Sequence, residues 1–404
     1  VTSRPHLAWL ALLTLASGCS FEEVPPPQPP PRPPPIPVLP IAAPRPVASS
    51  IGFELVHTPE GAVLAWGAPA RLGGGVRALG LDPRGAPRGT EVEVARGLAP
   101  RADGRDATPV QIEELALASS GGRLGMAWVV GGPAPEVQAT FSARETEGLA
   151  PPRTLGSTTP LVPGSRPSRG RVAVTTREDG GLVVSYRVED APCSAAAGAQ
   201  VVGTTCGRLA HTELDGIAGA AEGGPAMEVP SPCAALVPGA VTTGGTWFYG
   251  LCHLAPAPVT TVYAIRPSIS YAAANDALEG CLPEGIAPLP EGAALVASCA
   301  ASRSAAFLDG HGRVASTATS LGSEVTCEEG RPVIVLRGEA AARRVPLIGA
   351  VSRLETLLPE RVAPRASRAS WTGEALLVAA WLEGEVALRR YECREGTLVR
   401  TDLP

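Results

Sequence analysis

Nine cysteines are the residues of this chain best suited to covalent chemistry, and their positions sort them into two groups. Cys19 stands alone near the N-terminus, with no other cysteine before Cys193. The remaining eight are Cys193, Cys206, Cys233, Cys252, Cys281, Cys299, Cys327 and Cys393. An even set in an exported chain favours four disulfides, because the spaces outside the cytoplasm are oxidising. No zinc-spaced CxxC occurs, nor HExxH, GxSxG or GxxxxGK[ST], so no metal, cofactor or catalytic residue is assigned.

Other groups that could do chemistry read more simply as structure. The chain has no lysine, which removes Schiff-base, Walker and Ser–Lys mechanisms at once. Its histidines after Cys19, His57, His211, His253 and His311, are far apart in sequence and are read as isolated. Gly73-Gly74-Gly75 has no following Lys and reads as a hairpin loop, not a phosphate cradle. Asp103-Gly-Arg-Asp106 lacks the alternating acids and closing Glu of a calcium loop. Asp82, Asp215 and Asp309 each precede a Gly turn, where Asp accepts local backbone donors and Gly takes positive φ. Net charge is −5, giving no electrostatic reason to bind nucleic acid or anionic lipid. Aromatics make up 4%, too few for the girdles of a lipid-facing barrel or for stacking platforms.

The elements that carry these residues begin with Arg4–Ser20, RPHLAWLALLTLASGCS. Basic residues, then an apolar run from Leu7 to Leu15, then Ala16, Ser17 and Gly18 before Cys19 have the layout of a secretory signal peptide. The run is too short to span a bilayer. This stretch resembles the lipobox of bacterial lipoproteins, with Ala16 where that family usually has an aliphatic residue. The resemblance implies cleavage after residue 18 and acylation of Cys19. Ser20 in place of Asp then implies the outer membrane, on either face.

PPPQPPPRPPPIPVLPIAAPRP follows, too rich in proline to build a core. Polyproline II of roughly 22 residues, at ~3.1 Å each, makes a tether of about 60–70 Å. Residues 1–18 are thus expected to be a signal peptide, 19–50 a lipidated linker and 51–404 a folded domain. From Ile51 on, short Val-, Leu- and Ala-rich runs alternate with Gly, Pro, Asp and Ser clusters, the pattern of an all-β domain. Only Glu339–Arg344 and Ala350–Leu358 sustain a helical period.

Two units recur. One is an apolar strand, often Gly-led and closing on a bulky residue, at Gly61–Gly67, Arg123–Val129, Gly181–Arg187, Gly245–Leu251, Gly292–Ala300, Arg331–Arg337 and Glu374–Leu382. The other runs into Leu-Asp and a Gly turn, at Arg77–Ala86, Leu209–Ile217 and Ala306–Arg313, with a looser copy at Leu388–Thr397. About 50 residues per copy is a propeller-like period. The chain is similar here to the repeat propellers of exported lipoproteins from GC-rich Gram-negative bacteria, the match being best at Leu81-Asp82-Pro83-Arg84-Gly85-Ala86-Pro87. The resemblance implies a β-propeller of seven blades, with six or eight, a β-solenoid or paired sandwiches as alternatives. In it the apolar unit is a blade's second strand and the Leu-Asp-Gly turn joins its third and fourth. On that reading Cys233–Cys252 and Cys281–Cys299 bridge first and second strands, Cys193–Cys206 staples an insert, and Cys327–Cys393 links the last two blades. Trp66, Trp128 and Trp381 close repeat strands and are expected between blades, with Trp247 and Trp371 beside them.

The expectation is a lipid-anchored, non-enzymatic envelope protein that binds other envelope proteins through its propeller and the membrane through its acyl chains. A glycan-active enzyme of the propeller type, or a glycan- or ligand-binding module, is the alternative.

Overall fold

The computed structural model describes residues 47–48, 52–69, 74–96, 98–99, 108–109, 111–132, 134–142, 148–158, 171–176, 180–192, 205–214, 227–231, 241–243, 246–254, 258–266, 271–289, 292–299, 303–320, 323–337, 342–346, 366–382, 385–401 and 403. All belong to the second of two compact units, Ala42–Pro404.

Strand β1 (Val47–Ala48) lies inside the stretch read as linker and belongs to the last sheet, described below. The first sheet is β2 (Phe53–Thr58), β3 (Gly61–Gly67), β4 (Gly75–Leu81) and β5 (Val92–Arg96) in that order. A two-strand ladder, β6 (Leu98–Ala99) and β7 (Thr108–Pro109), follows. The second sheet holds β8 (Ile112–Ser120), β9 (Arg123–Val130), β10 (Glu136–Ser142) and β11 (Arg153–Ser157). The third holds β12 (Val172–Thr176), β13 (Leu182–Pro192), β14 (Thr205–Glu213) and β15 (Met227–Ser231). The fourth is β16 (Val241–Thr243), β17 (Thr246–Leu254), β18 (Pro258–Arg266) and β19 (Tyr271–Glu279). The fifth is β20 (Cys281–Leu289), β21 (Gly292–Cys299), β22 (Arg303–Asp309) and β23 (Val314–Ser320). A three-stranded sheet comes next: β24 (Ser323–Glu328), β25 (Arg331–Arg337) and β26 (Ala342–Pro346). The last sheet contains β27 (Ala366–Trp371), β28 (Leu376–Leu382), β29 (Glu385–Arg394) and β30 (Thr397–Thr401), with β1 paired to Glu385 and Val386 of β29.

The fold is therefore all-β and propeller-like, with five antiparallel four-stranded blades among the described residues. Each copy of the apolar repeat is the second strand of its sheet, namely β3, β9, β13, β17, β21, β25 and β28. Alternation explains why these strands are apolar throughout. Side chains of a strand point to opposite faces in turn, and on β3 and β28 both faces meet a neighbour. On β3, Leu64 and Trp66 pack with Leu377 and Leu388 of the last sheet, while Val63 and Ala65 pack with Leu115 and Met126 of the second. On β28, Leu377 and Ala379 face the first sheet, while Leu376 and Val378 join Ala294 and Val296 of the fifth. Burying such side chains stabilises by roughly 1.5–3 kcal/mol each, and a strand with two sheltered faces gains this at every position.

First strands pack on one another in sequence: β2 on β8, β8 on β12, β12 on β16 and β16 on β20. The three-stranded sheet contacts β23 through β25 and β30 through β24, and β27 returns to β2. The sheets therefore close on their own beginning.

The two repeat units touch. In β4–β5, Asp82 Oδ1 accepts the backbone N–H groups of Arg84 and Ala86 at 2.9 and 2.8 Å, and Gly85 has φ 89°. In β22–β23, Asp309 Oδ1 accepts those of His311 and Arg313 at 2.8 and 2.9 Å, and Gly312 has φ 79°. The strand-leading glycines close against these turns. A Cβ on Gly61 (φ 137°) would overlap the Leu81 carbonyl oxygen, and one on Gly292 (φ 158°) that of Leu308. Asp215 lies outside the described residues.

One expectation fails. Ala342–Arg344, read as part of a helix, lie in β26, where Arg343 pairs with Leu336 and Arg344 with Val335. The other helical stretch, Ala350–Leu358, lies outside the described residues.

Candidate functional site

The polar chemistry gathers where apolar strands start, on the inner β2, β8, β12 and β27. Phe53 and Leu55 anchor β2 in the seam with the last sheet, with Glu54 between them. Arg368 reaches Glu54 from β27, its Nε 2.8 and 2.9 Å from the two carboxylate oxygens. The guanidinium also lies over the Phe53 ring, 5.4 Å from its centroid. Arg368 is 5% exposed. Burial pushes the Glu54 carboxyl above its ordinary range, and the Arg368 charge and hydrogen bond pull it only partly back.

A second such seam joins the second and third sheets. Arg171, 3% exposed at the start of β12, places Nη1 2.8 Å from Glu113 Oε2 and Nε 3.4 Å from Glu114 Oε2. Glu114 also accepts the backbone N–H of Arg171 at 3.1 Å and that of Val172 at 3.3 Å. Gly131 leaves room for this, since a Cβ there would crowd the Glu113 carboxylate.

The third polar feature lies within the third sheet. Ser185 on β13 and His211 on β14 are directly opposed, with Ser185 Oγ and His211 Nδ1 2.9 Å apart. Nucleophile and base at this distance could in principle activate a hydroxyl. Both residues are fully enclosed, however, and burial lowers the His211 pKa to about 4, keeping the imidazole neutral. The arrangement joins two buried polar groups within the third sheet.

The seam residues Glu54, Glu113, Glu114, Arg171, Ser185 and Arg368 were not singled out in the sequence, and His211 was read as isolated. Their one local signal is a charged residue set into the opening of an apolar strand, as in Phe53-Glu54-Leu55. Residues that were singled out stay in local roles. His57 Nδ1 lies 3.1 Å from the Gly61 carbonyl oxygen, and His311 contributes its backbone N–H to the Asp309 turn. Gly74, in the loop between β3 and β4, and Gly75, the first residue of β4, have φ 68° and 85°, as a hairpin requires. Trp66 and Trp128 are buried between sheets, and Trp128 Nε1 donates to Gln138 Oε1 at 3.2 Å. Trp371 is half-buried against the cluster shared by the fifth and last sheets. Among the described residues no three His, Cys, Asp or Glu gather as a metal site, and no helix is long and apolar enough to cross a membrane.

Two disulfides are present among the described residues. Cys281–Cys299 joins β20 to β21, and Cys327–Cys393 joins β24 of the three-stranded sheet to β29 of the last. Cys19, Cys193, Cys233, Gly73, Asp103 and Asp106 lie outside the described residues, as do the side chains of Cys206, Cys252, His253, Trp247 and Trp381.

No family model matches this chain. No curated protein matches it either. Among solved structures it is similar to a Trypanosoma rangeli sialidase at 9% identity and TM-score 0.40, over 75% of this chain and 56% of that one. A Mycobacterium tuberculosis puromycin-hydrolyzing peptidase gives 14% identity and TM-score 0.44 over 88% and 55%, and an acylaminoacyl peptidase 10% and 0.42 over 89% and 52%. The chain thus spans about half the length of these proteins. At these identities nothing of their activities passes to it.

Proposed function

We propose that this chain is a lipid-anchored envelope protein whose propeller binds other envelope proteins and does no chemistry of its own. Counting the three-stranded sheet and the composite last sheet as blades gives seven. In this reading Cys19 carries the acyl chains, residues 19–46 hold the domain off the outer membrane, and eight cysteines form four disulfides. Cys193–Cys206 and Cys233–Cys252 complete the set.

The observation that carries the non-enzymatic reading is the state of the inner-strand acids. Glu54, Glu113 and Glu114 are the carboxylates a glycan-active enzyme would need near the axis. Each is bonded to a buried arginine across a seam. Carboxylates so engaged hold sheets together across the seams.

The same acids are also the specific observation behind the second reading, a glycan-active enzyme, since carboxylates and arginines do converge on the inner strands. One set of experiments separates the two. Cells carrying the full chain are fractionated and crosslinked, and the purified protein is assayed against polysaccharides. Residence with the outer membrane, lost in Cys19→Ala, and a discrete crosslinked adduct are expected. Hydrolysis or lyase activity abolished by Glu113→Gln would overturn the reading in favour of the enzyme. Membrane residence unchanged in Cys19→Ala would remove the anchor.

A further inference from the structure

We propose that the Cys327–Cys393 cystine is a latch opened by a dithiol, which frees the three-stranded sheet from the last sheet while each keeps its own strand pairing. The two cysteines occupy the same place in two hairpins. Cys327-Glu328-Glu329-Gly330 makes the turn from β24 to β25, and Cys393-Arg394-Glu395-Gly396 the turn from β29 to β30. Both turns have two left-handed residues, Glu329 (φ 51°) with Gly330 (φ 74°) and Glu395 (φ 47°) with Gly396 (φ 78°). This is the hairpin turn that favours Asn or Gly at its first central position. Glutamate there is sterically disfavoured. Glu329 and Glu395 are the non-glycine residues with positive φ among the described residues. Both hairpin tips therefore hold a costly conformation, and they are the two tips that the cystine joins.

Noncovalent ties described at this spot are the packing of β24 on β30, with Val325 and Leu398 against the buried cluster of Leu376, Val378 and Tyr391, and a hydrogen bond from the Cys327 backbone N–H to the Gly396 carbonyl at 3.0 Å. The seam between first and last sheets adds a buried ion pair to its apolar packing. It has Phe53, Leu64 and Trp66 packed with Leu377 and Leu388, together with the buried Glu54–Arg368 pair.

Access also distinguishes the two cystines. Glu329, Gly330, Glu395 and Gly396 are exposed, and both Cys327 and Cys393 are partly so. Cys327–Cys393 is partly exposed at both ends, whereas Cys281 is 3% exposed with only its partner Cys299 partly so, and those two lie opposite each other within one sheet, so breaking that bond separates no sheet from another. Exchange begins when a thiolate of the dithiol attacks one sulfur of the accessible cystine. A mixed disulfide forms and the other cysteine leaves as thiolate. The second thiol then displaces the first cysteine, and the dithiol departs as its own disulfide. Two electrons pass to the cystine, and two protons end on Cys327 and Cys393.

The test titrates the oxidised full chain with dithiothreitol, maps free thiols by alkylation and follows amide exchange by peptide. Cys327 and Cys393 are expected to open at dithiol concentrations about tenfold below those for Cys281 and Cys299, because access controls attack. Exchange should then accelerate in the peptide carrying the Cys327 amide, which loses its Gly396 acceptor, and stay unchanged in 53–81. Cys327→Ser/Cys393→Ser should show the same pattern without reductant; should that variant not fold, the wild-type titration decides. Opening of Cys281–Cys299 first or together with it, faster exchange all round the ring, or no change after reduction would each overturn the proposal.

Discussion

Replacing Arg368 by Ala should open the seam between the first and last sheets, and the size of the effect follows from burial. Arg368 is 5% exposed, and the Glu54 side chain it pairs with is 12% exposed. Removing one partner of such a pair strands a desolvated charge, at a cost of about 3–5 kcal/mol. Replacing both by apolar groups, as in Glu54→Leu/Arg368→Met, leaves no charge and should recover most of that loss. The pH dependence gives an independent check. The folded-state pKa of Glu54 is already raised, so its contribution to stability is fully present below the ordinary carboxyl value and is lost as pH rises through the folded one. Without Arg368 the folded value rises further, and the deficit of Arg368→Ala should shrink as pH falls from about 7 to about 5. Urea unfolding followed by circular dichroism and tryptophan fluorescence reads both effects. A loss below about 1 kcal/mol, or the same deficit at both pH values, would refute the assignment of this pair as a buried seam bond.

Three further outcomes follow from the turns and the enclosed histidine. His211 stays neutral in the fold down to about pH 4 but is protonated below about 6.5 when unfolded, so stability should fall by roughly 3 kcal/mol on acidification across that window. His211→Gln should remove this slope, and a slope that persists in the variant would contradict it. For Asp309 burial alone would raise the pKa, yet the N–H groups of Arg313 and His311 hold it below the ordinary value. Its contribution is present above the unfolded value and lost as pH falls through the folded one, and Asp309→Ala should cost about 1 kcal/mol in urea unfolding at neutral pH. Gly292→Ala forces a Cβ against the Leu308 backbone and should cost about 1–3 kcal/mol; an unchanged melting temperature would show that the turn is not closed against the strand.

What could be read from the chain was local. A second strand such as β3 announced itself because both its faces are buried, which leaves a continuous apolar run, Ala62–Trp66, and no alternation to misread. The turns were legible because Asp82 and Asp309 bond within four residues of themselves, so the whole device fits in one short motif. The seam pairs were not legible, since Glu54 and Arg368 lie 314 residues apart and only closure of the ring brings them together. Ser185 was hidden differently: it occupies a position held by Ala in β3 and β9, and its partner His211 sits on the next strand. Glu339–Arg344 misled because Ala, Glu and Arg favour a helix locally. Pairing of Ala342–Pro346 along β25 overrides that preference.

Closure itself can be measured directly. Arg84, in the turn of the first sheet, lies 3.3 Å from Glu374 in the turn of the last, and both side chains are exposed. Spin labels on Arg84→Cys and Glu374→Cys in the oxidised full chain should give one narrow, short distance in solution. A long or broad distribution, as from an open ladder of sheets whose ends stay apart, would contradict the ring.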